Sequence, residues 1–312
     1  MEQAIQARQL TKTFNGVTAV DALDLSIPRG GAWGFIGPSG AGKTTTIRLI
    51  MSILFPDSGS LRVLGHDSAF EVRRRIGYLP EERGVYAKMR VEEFLLYLAR
   101  LRGVDDNVAR QRAARMLEQL GLNDVQRKRC EDLSKGMLQR VQFVGAILHE
   151  PELLILDEPF SGLDPLSVRA LKEMIRAERQ RGATLLFSTH VMAQAEELCD
   201  QVVMIHKGRK VLDESTARLR RQFDARRILF EPLDLQAELT PLCALAGVES
   251  LQAIDNGYEL RLREDADTQS ILRAMSAALP LARLELARRR VEDVFIDLVG
   301  EQELRVHLRG VA

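Results

Sequence analysis

Eight residues, Gly37-Pro38-Ser39-Gly40-Ala41-Gly42-Lys43-Thr44, set Gly37 and Gly42 with four residues between them and follow Gly42 with a lysine and a hydroxyl. Thr45 extends the hydroxyl run. Glycines accept dihedrals that other residues avoid, so the backbone can wrap a phosphate with its N–H groups turned inward. A helix opening at Lys43 would add unpaired N–H groups and the positive end of its dipole. Lys43 brings a charge to β- and γ-phosphates, and Thr44 brings an oxygen for Mg2+. This chemistry needs a strand before the loop and a helix after it. The flanks supply both, an apolar run from Ala32 to Ile36 and a helical pattern beginning at Lys43. The stretch implies a nucleoside triphosphate with magnesium, without saying what its energy is used for.

A second set of reactive residues lies downstream. The apolar run Leu153 to Leu156 ends in Asp157-Glu158-Pro159. It puts an aspartate at the carboxyl end of a strand, where open parallel sheets bind ligands. Asp157 can hold Mg2+ through water, and Glu158 is placed to take a proton from an attacking water. A strand from Ala183 to Phe187 leads into Ser188-Thr189-His190, which sets His190 on the same rim. There it could hydrogen-bond a γ-phosphate or the water; otherwise it is one polar residue in a loop. Phe14, in the first loop with Asn15-Gly16, either stacks on adenine or fills a small core, and the residues themselves leave both open.

The elements that must carry these groups can be read around them. Ile5 to Leu10 and Ala22 to Ile27 are candidate strands before the phosphate loop, and Ser58 to Leu64 and Ile76 to Leu79 follow it. Helical spacing then takes over at 91–102, 107–120 and 135–149, so 85–150 reads as a helical insertion between strands. After a helix at 166–180, strands at 201–205 and 209–213 form a hairpin around Lys207-Gly208. From about Thr216 the character changes. Five arginines (218, 220, 221, 226 and 227) crowd a contact patch or a solvated linker helix. Strands at 228–233 and 258–263 and helices at 268–279 and 291–299 then make a small second α/β domain.

Composition excludes several classes. Basic and acidic residues balance at 44 each among 312, so no global charge demands nucleic acid or an anionic membrane. No apolar run approaches the roughly 18 residues of a transmembrane helix. The start, MEQAIQARQL, lacks the profile of a signal peptide. Three dispersed cysteines show no metal-ligand spacing and suit a reducing cytosol.

Between the two phosphate-site motifs lies Leu133-Ser134-Lys135-Gly136-Met137-Leu138-Gln139-Arg140. Ser134 has the type and place of an N-cap, and a serine at a helix N-terminus is a second phosphate-binding surface. One nucleotide needs only one phosphate loop. The economical reading is that this surface serves the nucleotide of another subunit.

With these motifs in this order, residues 4–215 resemble the ATP-binding cassette (ABC) ATPases. The likeness rests on the phosphate loop, the LSKGM signature, LLILDEP, Ser161-Gly162-Leu163-Asp164 and His190. It implies an α/β fold of the P-loop NTPase, ABC ATPase type, a mixed β core with a helical subdomain at about 85–150. A small C-terminal α/β domain, 216–312, would follow. It also implies a head-to-tail dimer, homodimeric or an ABC heterodimer, enclosing two ATPs with Mg2+. Each ATP would lie between the phosphate loop of one subunit and Ser134, Lys135 and Gly136 of the other. On this likeness Phe14 is the adenine-stacking aromatic, Glu158 the catalytic base and His190 the switch histidine. Asp164 couples the two sites, and Thr44, Asp157 and Glu81 surround the metal.

Two departures stand out. Lys135 occupies the place of a usual second glycine, with Met137 in that of a glutamine; Lys135 either adds a cation near the γ-phosphate or points to solvent. Glu81 stands where glutamine is usual, and a carboxylate can ligate Mg2+ but cannot donate a hydrogen bond. With Leu79-Pro80-Glu81-Glu82-Arg83-Gly84 and the ending Val291-Glu292-Asp293-Val294-Phe295, these features resemble the ABC-2-type exporters of sodium, drugs and related compounds. The implied function is the ATP-hydrolysing subunit of an exporter, at the cytoplasmic face of the membrane, soluble in isolation, with a separate integral-membrane permease. The rival is a soluble ABC ATPase acting on nucleic acid or ribosomes. A single cassette, no long coiled coil and zero net charge weigh against it, so no nucleic-acid partner is expected.

Overall fold

The computed structural model describes residues 2–299 apart from Arg83, Gln222, Leu235, Asp255, Asn256, Arg289 and Arg290. Arg83 of the stretch after Leu79, and the reading of the accessory domain beyond residue 299, therefore lie outside the described residues. The chain divides into two compact units. One holds residues up to Thr216 together with 295–299, and the other holds Ala217–Val294.

The first unit begins with β1 (Gln3–Phe14), β2 (Val17–Pro28) and β3 (Ala32–Ile36), then α1 (Lys43–Ile50), β4 (Ser58–Val63) and β5 (Ile76–Leu79). The helical insertion follows as α2 (Val91–Arg102), α3 (Asp106–Gln119) and α4 (Lys135–Ile147). It returns through β6 (Leu153–Asp157), α5 (Pro165–Gln180), β7 (Thr184–Thr189), α6 (Met192–Leu198), β8 (Gln201–His206) and β9 (Arg209–Ser215).

β3, β6 and β7 are buried at every residue, the condition that makes parallel strands read as unbroken apolar runs. They lie inside a six-stranded sheet of order β5-β6-β7-β3-β8-β9, parallel except for the edge strand β9. The carboxyl ends of β5, β6, β7 and β3 therefore share one rim. β2, β1 and β4 form a separate antiparallel sheet. Its apolar face (Ile5, Leu10, Leu25, Ile27) shares one core with Ile47 and Leu49 of α1 and with Phe35, Ile155 and Leu186 of the large sheet. That packing fixes α1 behind the phosphate loop.

Helix starts follow their caps. Asp105 accepts bonds from the Asn107 and Val108 N–H groups to open α3, and the Ser134 hydroxyl accepts from Met137 N–H to open α4. One expectation needs correction. Phe14 is the last residue of β1 rather than part of a loop, because Asn15-Gly16 is a two-residue turn with φ of 46° and 83°, the hairpin geometry that lets β1 and β2 run on to the turn. The short helix α6 carries no sequence signal of its own, since seven residues give too little periodicity to stand out.

The second unit contains α7 (Thr216–Arg221), β10 (Phe223–Pro232), α8 (Thr240–Cys243), β11 (Val248–Ile254), β12 (Gly257–Leu262), α9 (Thr268–Ala278) and β13 (Leu281–Arg288). Helical backbone follows at 291–294 and continues through 295–299, which belong to the first unit rather than to the expected C-terminal domain. The sheet order β11-β12-β10-β13, with α8 and α9 as the crossovers, is the β-α-β-β-α-β arrangement of ferredoxin-like units. β11 and β13 were not read from the sequence. Ile228, Phe230, Leu260, Ile271 and Met275 are its core. Of the arginine cluster, Arg226 pairs with Glu264, and Arg227 with Glu259 and Asp293.

Candidate functional site

The phosphate loop leaves β3 and enters α1. A Cβ on Gly37 (φ 155°) would stand 2.2 Å from the Ile205 carbonyl oxygen, and one on Gly42 (φ 107°) 2.3 Å from that of Ala19. No other residue fits either position without moving backbone. Gly42 is also the N-cap of α1, and no side chain caps that helix or adds an acid to its first turn. The opening N–H groups are left for an anion. Lys43 is buried, and its Nζ donates to the carbonyls of Gly37 (2.7 Å) and Pro38 (3.1 Å). Burial pushes the ammonium pKa down, while the carboxylates of Glu158, Asp157 and Glu81 oppose that shift.

Asp157 ends β6 almost fully buried, and neither carboxylate oxygen has a hydrogen-bond partner. Burial raises its pKa. The hydroxyls of Ser188 and Thr44 are near enough to counter that shift, though neither completes a hydrogen bond. A buried carboxylate without donors is costly unless a cation satisfies it. The oxygens of Thr44, Asp157 and Glu81 are the hard-donor set that suits Mg2+.

Glu158 has a left-handed backbone (φ 49°). Successive strand residues normally project to opposite faces; the turn at Glu158 brings its carboxylate back toward the rim that Asp157 serves. Oε1 accepts from the His190 N–H and from His190 Nδ1, both at 2.8 Å. Oε2 accepts from Thr189 Oγ1 at 3.3 Å. A carboxylate can only accept, so Nδ1 carries the hydrogen and Nε2 is turned outward. Gln139 of α4 donates to the Glu158 and Pro159 carbonyls, at 3.3 and 2.7 Å, and ties the signature helix to this turn.

A cleft of about 260 Å³ is lined by Ser39, Gly40, Ala41, Gly42, Lys43, Thr44, Thr45, Glu81, Glu158 and His190, with Ala19 opposite. Gly37, Pro38 and Asp157 stand behind that lining. Phe14 is partly exposed at the hairpin end with the Lys12 ammonium 5.5 Å from its ring centre, and Ala19 on β2 of the same hairpin reaches the cleft. Ser134 and Lys135 are exposed at the start of α4, outside the cleft. A Cβ on Gly136 would meet Leu163 Cδ2 at 3.3 Å. Asp164 caps α5 through the Ser167 N–H and hydroxyl, bonds that hold its carboxyl below the usual range. The sequence reading missed Thr189, Gln139 and Tyr78. Tyr78 of β5 has a phenol pushed up to about 12, by burial first and then by the charge of Asp157. Only their neighbours in sequence hinted at these three.

Residues 20–161 match the family described as ABC transporter, and 215–299 match the C-terminal domain of the DrrA1-3-like ATP-binding proteins. The chain is 38% identical over 291 residues to YhaQ of Bacillus subtilis, an uncharacterized ABC transporter ATP-binding protein, spanning 93% of this chain and 97% of that one. The chain belongs to the ABC transporter ATP-binding proteins. This ABC ATPase is also 33% identical to the daunorubicin/doxorubicin resistance ATP-binding protein DrrA of Streptomyces peucetius, over 96% of this chain and 93% of that protein. A solved ATP-binding subunit of an ABC transporter superposes with a TM-score of 0.66 at 33% identity, over 70% of this chain and 92% of that one. The expected fold and ATPase function are borne out: the chain is the ATP-binding, ATP-hydrolysing subunit of an ABC transporter. Among the described residues no helix is long and apolar enough to cross a membrane.

Proposed function

We propose that this ATPase works as one half of a head-to-tail dimer seated on a separate permease at the cytoplasmic face of the membrane. The observation that carries the reading is the division of the site. The phosphate loop, Glu81, Glu158 and His190 share one cleft, while Ser134 and Lys135 lie exposed outside it. A phosphate-binding helix start that cannot serve its own cleft is available to that of a second copy.

In this arrangement the N-terminus of α1 and Lys43 grip the β- and γ-phosphates, and Phe14 stacks on the base. Thr44, Asp157 and Glu81 would hold Mg2+, whose charge offsets that of the phosphates. Glu158 takes the proton of the attacking water. Its hydrogen bond to His190 Nδ1 aims Nε2 at the γ-phosphate. Ser134, Lys135 and Gly136 of the opposite copy close the far side, and Asp164 links the two sites. The loop at Glu81 and the helical insertion pass the closure to the permease. The accessory domain expected at 216–312 corresponds, among the described residues, to the unit Ala217–Val294. The relative named for daunorubicin and doxorubicin resistance supports outward transport.

Ser134→Glu tests the assignment in trans. A carboxylate set against a partner's phosphate adds like-charge repulsion on the order of several kcal/mol. ATP-driven dimerisation is expected to fail in light scattering while calorimetric ATP binding to the monomer stays intact; equal loss of monomer binding would refute the assignment. The permease is tested by capturing tagged Glu158→Gln protein with ATP from detergent-solubilised native membranes. A co-purifying polytopic protein is expected, and recovery with ribosomes or nucleic acid instead would overturn the exporter partnership.

A further inference from the structure

Residues 148–152 connect α4, the helix that begins at Ser134, to β6, the strand that ends at Asp157. Side chains from several distant places grip this link. Arg75, just before β5, donates from Nε and Nη2 to the two carboxylate oxygens of Glu152 at 2.6 and 2.7 Å, and Arg29, after β2, adds a bond at 3.0 Å. Arg181, after α5, donates to the Pro151 carbonyl and to buried Glu178. His149 Nε2 lies 3.0 Å from the Ile76 carbonyl. Burial pushes that imidazole down to about 4, so the ring is neutral and donates from Nε2. A Cβ on Gly77 would sit 2.2 Å from the Ala146 carbonyl oxygen and 2.9 Å from the Pro151 ring, so the last turn of α4 rests on the backbone of β5. All of these grips come from the sheet side.

Among the described residues, the side-chain hold of the helical insertion on this link is Arg112 of α3. Its Nη1 donates to the Leu148 carbonyl at 3.2 Å and its Nη2 to Glu150 at 2.8 Å. Glu150 itself has a left-handed backbone (φ 54°), an uncommon state for a residue with a side chain. At the C-terminal end of α3, the Leu120 carbonyl accepts from Arg140 of α4 at 2.7 Å. α3 thus runs antiparallel to α4, tied from its middle to the end of α4 and from its own C-terminal end to the middle of α4.

We propose that Arg112 is a positioning residue for ATP hydrolysis, setting the angle at which α4 leaves the sheet and so the place of Ser134, Lys135 and Gly136 at a partner's ATP. The leverage is geometric. α4 has 13 residues, about 20 Å at 1.5 Å per residue, with the link at one end and Ser134 at the other. A tilt of about 3° at the link moves Ser134 by roughly 1 Å, a displacement that can cost about a hundredfold where groups must meet reacting atoms. Arg102 of α2, which donates to the Arg73 carbonyl, is a second strut from the insertion to the sheet.

The inference rests on the head-to-tail reading, and the experiment separates the two. ATP-driven dimerisation of Glu158→Gln protein is followed by light scattering, with and without Arg112→Gln. The added change is expected to raise the ATP concentration for half-dimerisation about tenfold, the scale of losing a charged hydrogen-bond pair that couples two sites. ADP affinity, read by calorimetry, is expected to stay within about twofold because the cleft is untouched. Arg112→Lys, which can still reach Glu150 but not both acceptors, is expected to recover part of the loss. Should Arg112→Gln fold poorly, Glu150→Gln gives the same test from the other partner, with a smaller shift of about threefold. A lower melting temperature with an unchanged dimerisation midpoint would mean that Arg112 only stabilises the fold, and would overturn the proposal. A Glu158→Gln parent that stays monomeric removes the head-to-tail reading and this inference with it.

Discussion

A chain carrying Glu158→Gln is expected to bind ATP, to hydrolyse it about 10²–10⁴-fold more slowly, and to accumulate as a closed dimer. The size of the effect follows from what the substitution keeps and removes. The amide oxygen can still accept from the His190 N–H and Nδ1, so the bonds that place the side chain survive. Its NH2 group can donate to Thr189 Oγ1, which already accepts from the Val191 N–H. The geometry is retained and proton acceptance is lost. Binding, which uses the phosphate loop, is separated from chemistry, which uses the carboxylate. Single-turnover phosphate release, with light scattering on the same sample, reads both. Hydrolysis within a few-fold of the parent would remove Glu158 from the role of base.

Lys43→Ala is expected to weaken ATP binding by at least about a hundredfold, the scale of deleting a charged donor at a partly desolvated anion site. Lys43 is the cation that faces Glu158, Asp157 and Glu81 together. Without it the side chains of the cleft present a phosphate with acids and no ammonium. Calorimetric titration with ATP measures the loss. Near-normal affinity would sink the assignment of the loop, and a parallel melting curve shows whether the carbonyls of Gly37 and Pro38, which the ammonium caps, matter to the fold.

What the sequence disclosed depended on how local each feature is. The phosphate loop is legible because spacing, glycine chemistry and flanking periodicity lie within about one strand, one turn and one helix start. Buried β3 and β6 are legible for a related reason, since both faces of each strand are covered and the run stays apolar. Phe14 reads as a loop residue in sequence because Asn15-Gly16 signals a turn without showing that it is a tight two-residue hairpin. β11 was invisible because its burial is uneven, with Gln252, Ala253 and Ile254 exposed at the sheet edge. The arginines that grip 148–152 could not be found at all. Each lies tens of residues away along the chain, and nothing in an isolated Arg29 or Arg112 says which carboxylate it meets.

The strand order also dictates when the nucleotide site can exist during synthesis. Among the described residues β3, which delivers the phosphate loop, pairs only with β7 and β8. The Gly30–Thr184 hydrogen bond beside that strand closes a separation of 154 residues. The antiparallel sheet of β1, β2 and β4 has all its partners within the first 63 residues and can form early. The strand between β2 and β4 must wait for more than half the chain to leave the ribosome, at about 5–20 residues per second. Contacts of such long separation are slow to close and expose apolar surface meanwhile. ATP therefore cannot act as an early folding ligand for this chain. A nascent polypeptide released before β7 would carry a complete glycine-rich loop and still have no nucleotide site.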